Sequence, residues 1–211
     1  MSLAAQYQVG EKTIYKKCKD YGIPTTLEAC RDAKVAYREK FTGVVNYWNE
    51  LESAAVWAVK NPRQMIRCGM LILAFFDGKL RIKLPSGRIM FYYDAQIKWK
   101  ETPWGELKEM VTYMGIDQYT RRWSRTSTYG GKLFENVVQA IARDLMAEAM
   151  VRAEDNGMHP VLTVHDEVVI EELLGKYTIS DLNRIMTKLP KWAKDLPIGA
   201  EGWSGLFYMK S

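Results

Sequence analysis

Two short β-branched runs, Val161–Val164 and Val168–Ile170, stand on either side of His165-Asp166-Glu167 in the stretch PVLTVHDEVVIEE, residues 160–172. Strand-length apolar runs flanking a polar tripeptide predict a tight antiparallel hairpin or bulged turn. The expected turn carries Asp166 and Glu167 at the end of a rigid, largely buried scaffold. Buried strands seldom place two carboxylates and an imidazole at a turn unless something cationic sits opposite. Taken alone, a solvated turn is the simpler reading of HDE. The preceding stretch is what shifts it.

That stretch is YGGKLFENVVQAIARDLMAEAMVRAE, residues 129–154. Leu133, Val137, Ile141, Leu145 and Ala149 recur every four residues, with Phe134, Val138, Ala142 and Met146 beside them, a wide apolar helical stripe. Gly130-Gly131 predicts the helix start and Asn156-Gly157 its end. Glu135, Gln139 and Arg143 share another face at the same spacing. They form either a solvated ladder or, at Gln139 and Arg143, a pair reaching a ligand laid across the helix.

Around these elements, the rest of the chain reads as helices followed by a meander. Lysine-rich Ala4–Gly22 predicts a short helix, broken at Tyr21-Gly22-Ile23-Pro24. Thr25 and Glu28 have capping-box spacing, opening a helix to about Phe41. Gly43 is the expected break, and a second helix from Val44 to Lys60 carries Tyr47, Trp48, Leu51, Ala55 and Val59 as its packing stripe. An antiparallel helix pair is the expected outcome. Strands are predicted at Leu71–Phe76, Leu80–Leu84 and Arg88–Tyr93, separated by Asp77-Gly78 and Pro85-Ser86-Gly87. Pro103-Trp104-Gly105 predicts a further turn and Glu109–Tyr113 a further strand. Arg121–Arg125 reads as a basic loop with an embedded Trp123, open to phosphate binding or inert. Ser180 or Asp181 is expected to cap a helix to Leu189, and Ile198–Glu201 and Leu206–Met209 to close as strands. The fold class is α+β, helices on an antiparallel sheet. Its expected parts are helical at 4–62, a meander with a basic loop at 63–125, and the long helix with its hairpin at 126–211.

With 211 residues, 47% hydrophobic and 26% charged, the chain has ordinary globular composition. A net charge of +5 favours an anionic partner. Cys18, Cys30 and Cys68 fit free thiols in a reducing compartment. No apolar run reaches membrane-spanning length and no signal-peptide pattern opens the chain, so the expected location is cytoplasmic.

The helix YGGKLFENVVQAIARDLM followed by VHDE between two apolar strands resembles the C-terminal third of family A DNA polymerases, the bacteriophage branch above all. The likeness extends over nearly the whole chain and is most specific over 126–172. It implies a fingers-like segment at 4–62, a palm-like segment at 126–211, and template-directed nucleotidyl transfer in the host cytoplasm. It places Asp166 on the palm aspartate that binds divalent metal, His165 near the primer terminus and Glu167 beside the metal. Gln139 falls on the glutamine that reads the duplex minor groove, where acceptors are nearly the same for every correct pair. Arg143, Lys132 and Arg125 are further candidate DNA contacts. Glu135 stands where bacterial members carry asparagine, and it could instead bond Arg143 or a backbone donor.

Such transfer uses two magnesium ions held roughly 3.5–4 Å apart by carboxylates. The family's second aspartate lies in an upstream DYS-like motif, and no such motif occurs here. Tyr7-Gln8-Val9-Gly10 aligns with the tail of the nucleotide-binding helix, with Gln8 where the family usually has glycine. The expectation is a polymerase portion, inactive alone, whose partners are primer–template DNA, a deoxynucleoside triphosphate and a separate N-terminal segment. Two rivals are a non-catalytic DNA-binding module or remnant, and a metal-dependent hydrolase using His165, Asp166 and Glu167. The hydrolase lacks ligands, because His159 is the other histidine and no HxH or HExxH spacing exists. Trp104, Trp123, Trp192 and Trp203 read as packing residues more readily than as base platforms. His159, before Pro160, reads as a surface turn residue.

Overall fold

The computed structural model describes residues 8–101, 105–117 and 120–209. The predicted turn residues Pro103 and Trp104, and the chain before Gln8, lie outside them. The chain divides into two compact units, one ending at Val138 and the other beginning at Gln139. The α+β assignment holds, with every strand pair antiparallel.

The first unit opens with α1 (Glu11–Asp20), α2 (Leu27–Lys40) and α3 (Thr42–Lys60). The helices that pair are α1 and α2, with Ile14, Cys18 and Cys30 in one buried cluster and Lys34 2.6 Å from Glu11. All three cysteines are free and buried. The α2 cap is Thr26, not Thr25: its hydroxyl accepts from the Ala29 amide, so Glu28 is one residue short of the capping-box position. The break before α3 falls at Phe41, whose φ of −112° and ψ of 50° leave the helical region, while Gly43 sits inside the first turn.

Instead of pairing with α2, α3 packs across the sheet. Its inward face is Trp48, Leu51, Ala54, Ala55 and Ala58, all buried. The three alanines keep that face narrow enough for close approach.

The sheet is a six-stranded meander in sequence order. It comprises β1 (Met65–Cys68), β2 (Leu71–Phe76), β3 (Lys79–Lys83), β4 (Ile89–Glu101), β5 (Leu107–Ile116) and β6 (Trp123–Ser127). Asp77 and Gly78 turn β2 into β3 with φ of 50° and 70°, the signature of a type I′ hairpin whose twist matches its strands. β4 runs well past its expected end at Tyr93, because a bulge between Tyr93 and Gln96 absorbs the misfit and pairing resumes to Glu101. The expected basic loop is partly strand. β6 pairs Trp123 with Ile116 and Arg125 with Met114, and the Arg125 guanidinium binds the Asp94 carboxylate and, at 2.9 Å, its carbonyl.

The longest helix, α4 (Gly130–Asp155, 26 residues), begins in the first unit and passes into the second. At its start Gln8, with φ of 60°, accepts from the Gly131 amide at 2.8 Å. A left-handed backbone is what glycine would supply there, and this chain adds a side-chain cap. Gly157, φ 75°, ends α4: its amide reaches Glu154 O, and the Met158 amide returns to Ala153 O, both at 2.9 Å.

The second unit continues with β7 (Pro160–Val164), β8 (Glu167–Ile170) and α5 (Ile179–Met186). Its core is Ala153, Met158 and Ile185, flanked by Ile170, Tyr177 and Leu182. Thr178 caps α5, not Ser180 or Asp181, and Asp181 completes a reciprocal capping box. The strands expected at Ile198–Glu201 and Leu206–Met209 do not form. Gly199 lies inside the first run, and Gly202 and Gly205 stand between the two; glycine weakens strand interiors. No helix among the described residues is long and apolar enough to cross a membrane.

Candidate active site on the β7–β8 hairpin

Pairing across the hairpin runs from Leu162↔Val169 through Thr163↔Val168 to Val164↔Glu167, leaving His165 and Asp166 as a two-residue loop. Two-residue loops of this kind need positive φ at the first position, and His165 supplies it at 53°. Histidine tolerates that region better than most residues with a Cβ. The outcome is an exposed imidazole and an exposed carboxylate at successive positions of the tip.

The scaffold is less buried than expected. No residue of β7 or β8 is fully buried, and Val161 and Leu162 are largely exposed. No other described strand pairs with the hairpin.

The three polar residues at the tip differ in their surroundings. His165 and Asp166 are exposed. Glu167, the first residue of β8, is half-buried and accepts a hydrogen bond from Tyr208 Oη at 2.7 Å. That bond pushes the Tyr208 phenol up from its ordinary pKa, because its deprotonation would place two anions together. Glu167 is therefore steadied by a phenol donor. Tyr208 was not foreseen: Leu206–Met209 reads as a strand, and nothing local marks its hydroxyl as a partner for a residue 41 positions earlier.

Far from the tip, a second polar group surrounds the start of β7. His159 Nδ1 lies 2.8 Å from Glu154 Oε1, and its backbone amide donates to Glu172 at 3.3 Å. Glu172 pairs with Lys176 at 2.6 Å, which lowers the carboxyl pKa and raises the amine. His159 is thus the exposed turn residue expected from sequence.

The candidate DNA contacts separate by environment. Gln139 and Arg143, one turn apart on α4, are both exposed in the second unit, with Arg143 Nη1 3.8 Å from Met146 Sδ. Lys132 belongs to the first unit and pairs with Glu135 at 3.0 Å. Arg125 is the β6 residue bound to Asp94. Asn136 donates to Tyr92 Oη at 3.0 Å, inside the first unit, where burial holds the phenol up at about 12. Of the tryptophans, Trp192 donates to Glu148 at 2.6 Å, Trp123 and Trp203 are exposed, and Trp104 lies outside the described residues.

Among the described residues no group of three or more His, Cys, Asp or Glu side chains is arranged to hold a metal ion. That gives the hydrolase alternative no support. It also limits what the tip offers toward magnesium. Asp166 can be one ligand of a shared set, but the described carboxylates do not make a two-ion site.

No protein-family profile matches the chain, and no solved structure matches it. A sequence relative does. The DNA polymerase of Bacillus phage SP02 is 37% identical over 175 residues, which is 83% of this chain and 26% of that protein. The chain spans about a quarter of the length of the relative it matches.

Proposed function

This chain is kin to one stretch of a phage-type DNA polymerase, and we propose from that premise that it supplies the metal-binding hairpin of a family A palm. The observation that carries the reading is the 37% identity over 175 residues. The two-residue tip supports it, because Asp166 is exposed there and held on a paired scaffold.

In this proposal Asp166 is one carboxylate ligand for divalent metal. His165 lies beside it, toward the primer terminus. Glu167, engaged by Tyr208, orients the tip and leaves direct ligation to Asp166. Gln139 and Arg143 contact the duplex. Magnesium in a completed site would neutralise triphosphate charge and lower the pKa of the primer hydroxyl. The other carboxylate needed for that site comes from outside these 211 residues, so the isolated chain binds duplex without extending it.

Primer extension with magnesium and all four deoxynucleoside triphosphates tests this, beside a salt titration of duplex binding. The expected result is no incorporation, with binding that weakens steeply as salt rises. Replacement of Gln139 and Arg143 by alanine should weaken it further. Incorporation by the purified chain, abolished in Asp166→Ala, would overturn the claim of inactivity alone. Absence of duplex binding would overturn the DNA track.

Gln139 and Arg143, exposed one turn apart on α4, also suit a second reading, a DNA-binding module without catalysis. Duplex binding indifferent to magnesium and to Asp166→Ala would favour it.

A further inference from the structure

The face of the β1–β6 sheet turned away from α3 carries chemistry that the hairpin site does not use. Leu80 and Ile82 of β3 are fully buried, so the alternating Lys79, Arg81 and Lys83 lie on the opposite face. The register continues that face across the sheet. Arg81 stands opposite Phe91, Tyr93 opposite Met114, Met114 opposite Arg125, and Trp123 opposite Ile116. Phe91 and Tyr93 are each 45% exposed and Trp123 57%.

These side chains form an organised group. The Phe91 and Tyr93 rings lie 6.3 Å apart at 28°, and Tyr93 lies 6.3 Å from Trp123. Lys79 Nζ is 5.5 Å from the Tyr93 ring centre, and the Arg81 guanidinium lies 5.4 Å from Phe76 and 5.9 Å from Phe91. Asp77 in the adjoining turn binds Arg81 at 3.0 Å. Asp94, at the β4 bulge, binds Arg125 on this face, and none of the residues that the register itself places there is acidic.

Three aromatic rings left in water among cations call for a ligand that offers both flat apolar faces and negative charge. Duplex DNA hides its base faces in the stack. An apolar partner would strand the ammonium groups, and an acidic protein surface would leave the rings unmatched. An unpaired strand satisfies both needs, since every base has a π-face and every linkage a phosphate.

We propose that this face binds single-stranded DNA, with bases stacked on Phe91, Tyr93 and Trp123 and phosphates set against Lys79, Arg81 and Lys83. The choice of DNA over RNA rests on the polymerase reading above; the stacking surface itself does not.

The test is fluorescence anisotropy of a labelled thymidine 20-mer with the full chain, run beside a uridine 20-mer and a DNA duplex. Each ring exchanged for alanine should lower thymidine 20-mer affinity about tenfold, with the variants still melting cooperatively because the rings are partly exposed. The triple variant Phe91→Ala/Tyr93→Ala/Trp123→Ala should keep its duplex binding. Lys79→Gln with Lys83→Gln should reduce the salt slope by roughly 1.4, at about 0.7 per phosphate released.

Equal thymidine 20-mer affinity in the triple variant and the parent would overturn the proposal, as would no binding by the parent. Tighter binding of the uridine 20-mer would overturn the assignment to DNA. Self-association of the parent, abolished in the triple variant, would make the face an interface between copies and overturn it as well. Loss of duplex binding alone would overturn the DNA track proposed for Gln139 and Arg143 and leave the strand-binding face standing.

Discussion

The β1–β6 sheet and the β7–β8 hairpin are both antiparallel, yet only the sheet has a finished interior. Across β2 and β3, Leu71, Leu73, Leu80 and Ile82 are shielded from water to within 1%, and Trp48 of α3 is as deeply placed. Not one residue of β7 or β8 reaches that state, and Val161 is 57% exposed. A six-stranded meander covered by a helix buries one whole face. The β7–β8 ribbon reaches the small core of its unit through Ile170, and a two-stranded ribbon is marginal by itself. Stability therefore concentrates where no catalytic chemistry was foreseen, and the aspartate with the clearest chemical reading sits on the less stable element. Such division is ordinary, since functional segments are drawn from the low-stability end of a protein.

The largest effect that could break this comparison is a paired truncation. Leu80→Ala removes a side chain from a fully buried strand position and should cost about 3 kcal/mol, the transfer loss plus a cavity. Leu162→Ala, at a position 48% exposed, should cost under ~1 kcal/mol. Urea unfolding, with amide exchange reporting each unit separately, reads both. Equal costs would mean that the hairpin is as firmly built as the sheet.

A close backbone contact at the first residue of α4 gives the next effect. A Cβ added to Gly130 would stand 2.1 Å from Trp48 O and 2.7 Å from its carbonyl carbon. Backbone atoms cannot swing aside as a side-chain tip can, so Gly130→Ala should cost about 2–3 kcal/mol as an overpacking defect. The melting temperature of the first unit should fall, while exchange in the hairpin should change little. Loss of hairpin protection with the sheet intact would reverse the ranking.

Much of this architecture was legible in sequence because the signals were local. Asp77-Gly78 specifies its turn through positive φ, and the four-residue apolar period of 133–149 specifies a helix. The hairpin was expected with a His165-Asp166-Glu167 turn, and the structure shortens that turn to His165 and Asp166, because Glu167 pairs with Val164 as the first residue of β8. What was misread depends on partners distant in the chain. Arg121–Arg125 carries the composition of a basic loop, but Trp123 and Arg125 are drawn into a strand by the β5 edge and by Asp94, 31 residues before Arg125. Thr25 and Thr26 are equivalent by composition, and only the backbone geometry decides which hydroxyl meets a free amide. Leu206–Met209 has strand-like residues but forms no strand, and the contact given for it is the side-chain bond from Tyr208 to Glu167. The Glu167–Tyr208 bond had no sequence signal.

The smallest prediction sharpens the contrast within the second unit, where much of the local order rests on polar caps. Thr178 accepts from the Asp181 amide at 3.2 Å, and Asp181 Oδ2 accepts from the Thr178 hydroxyl at 2.6 Å and from its amide at 3.0 Å. Thr178→Ala should cost about 1 kcal/mol of α5 stability, the usual loss for a threonine cap, and loosen Ile185, which α5 contributes to the small core. The hydroxyl bond, then the amide bond, hold the Asp181 carboxyl below its ordinary value of 3.8, with the nearby Arg184 adding to them. A depressed folded-state pKa means that the stabilisation is present above 3.8 and fades as pH falls through the lowered value. The parent should therefore protect α5 amides more than Asp181→Asn does at neutral pH, and the gap should close in acid. A gap that persists well below pH 3.8 would show that the Asp181 carboxylate does not maintain the cap, and would shift the stability of this unit from its charged caps to its few buried side chains.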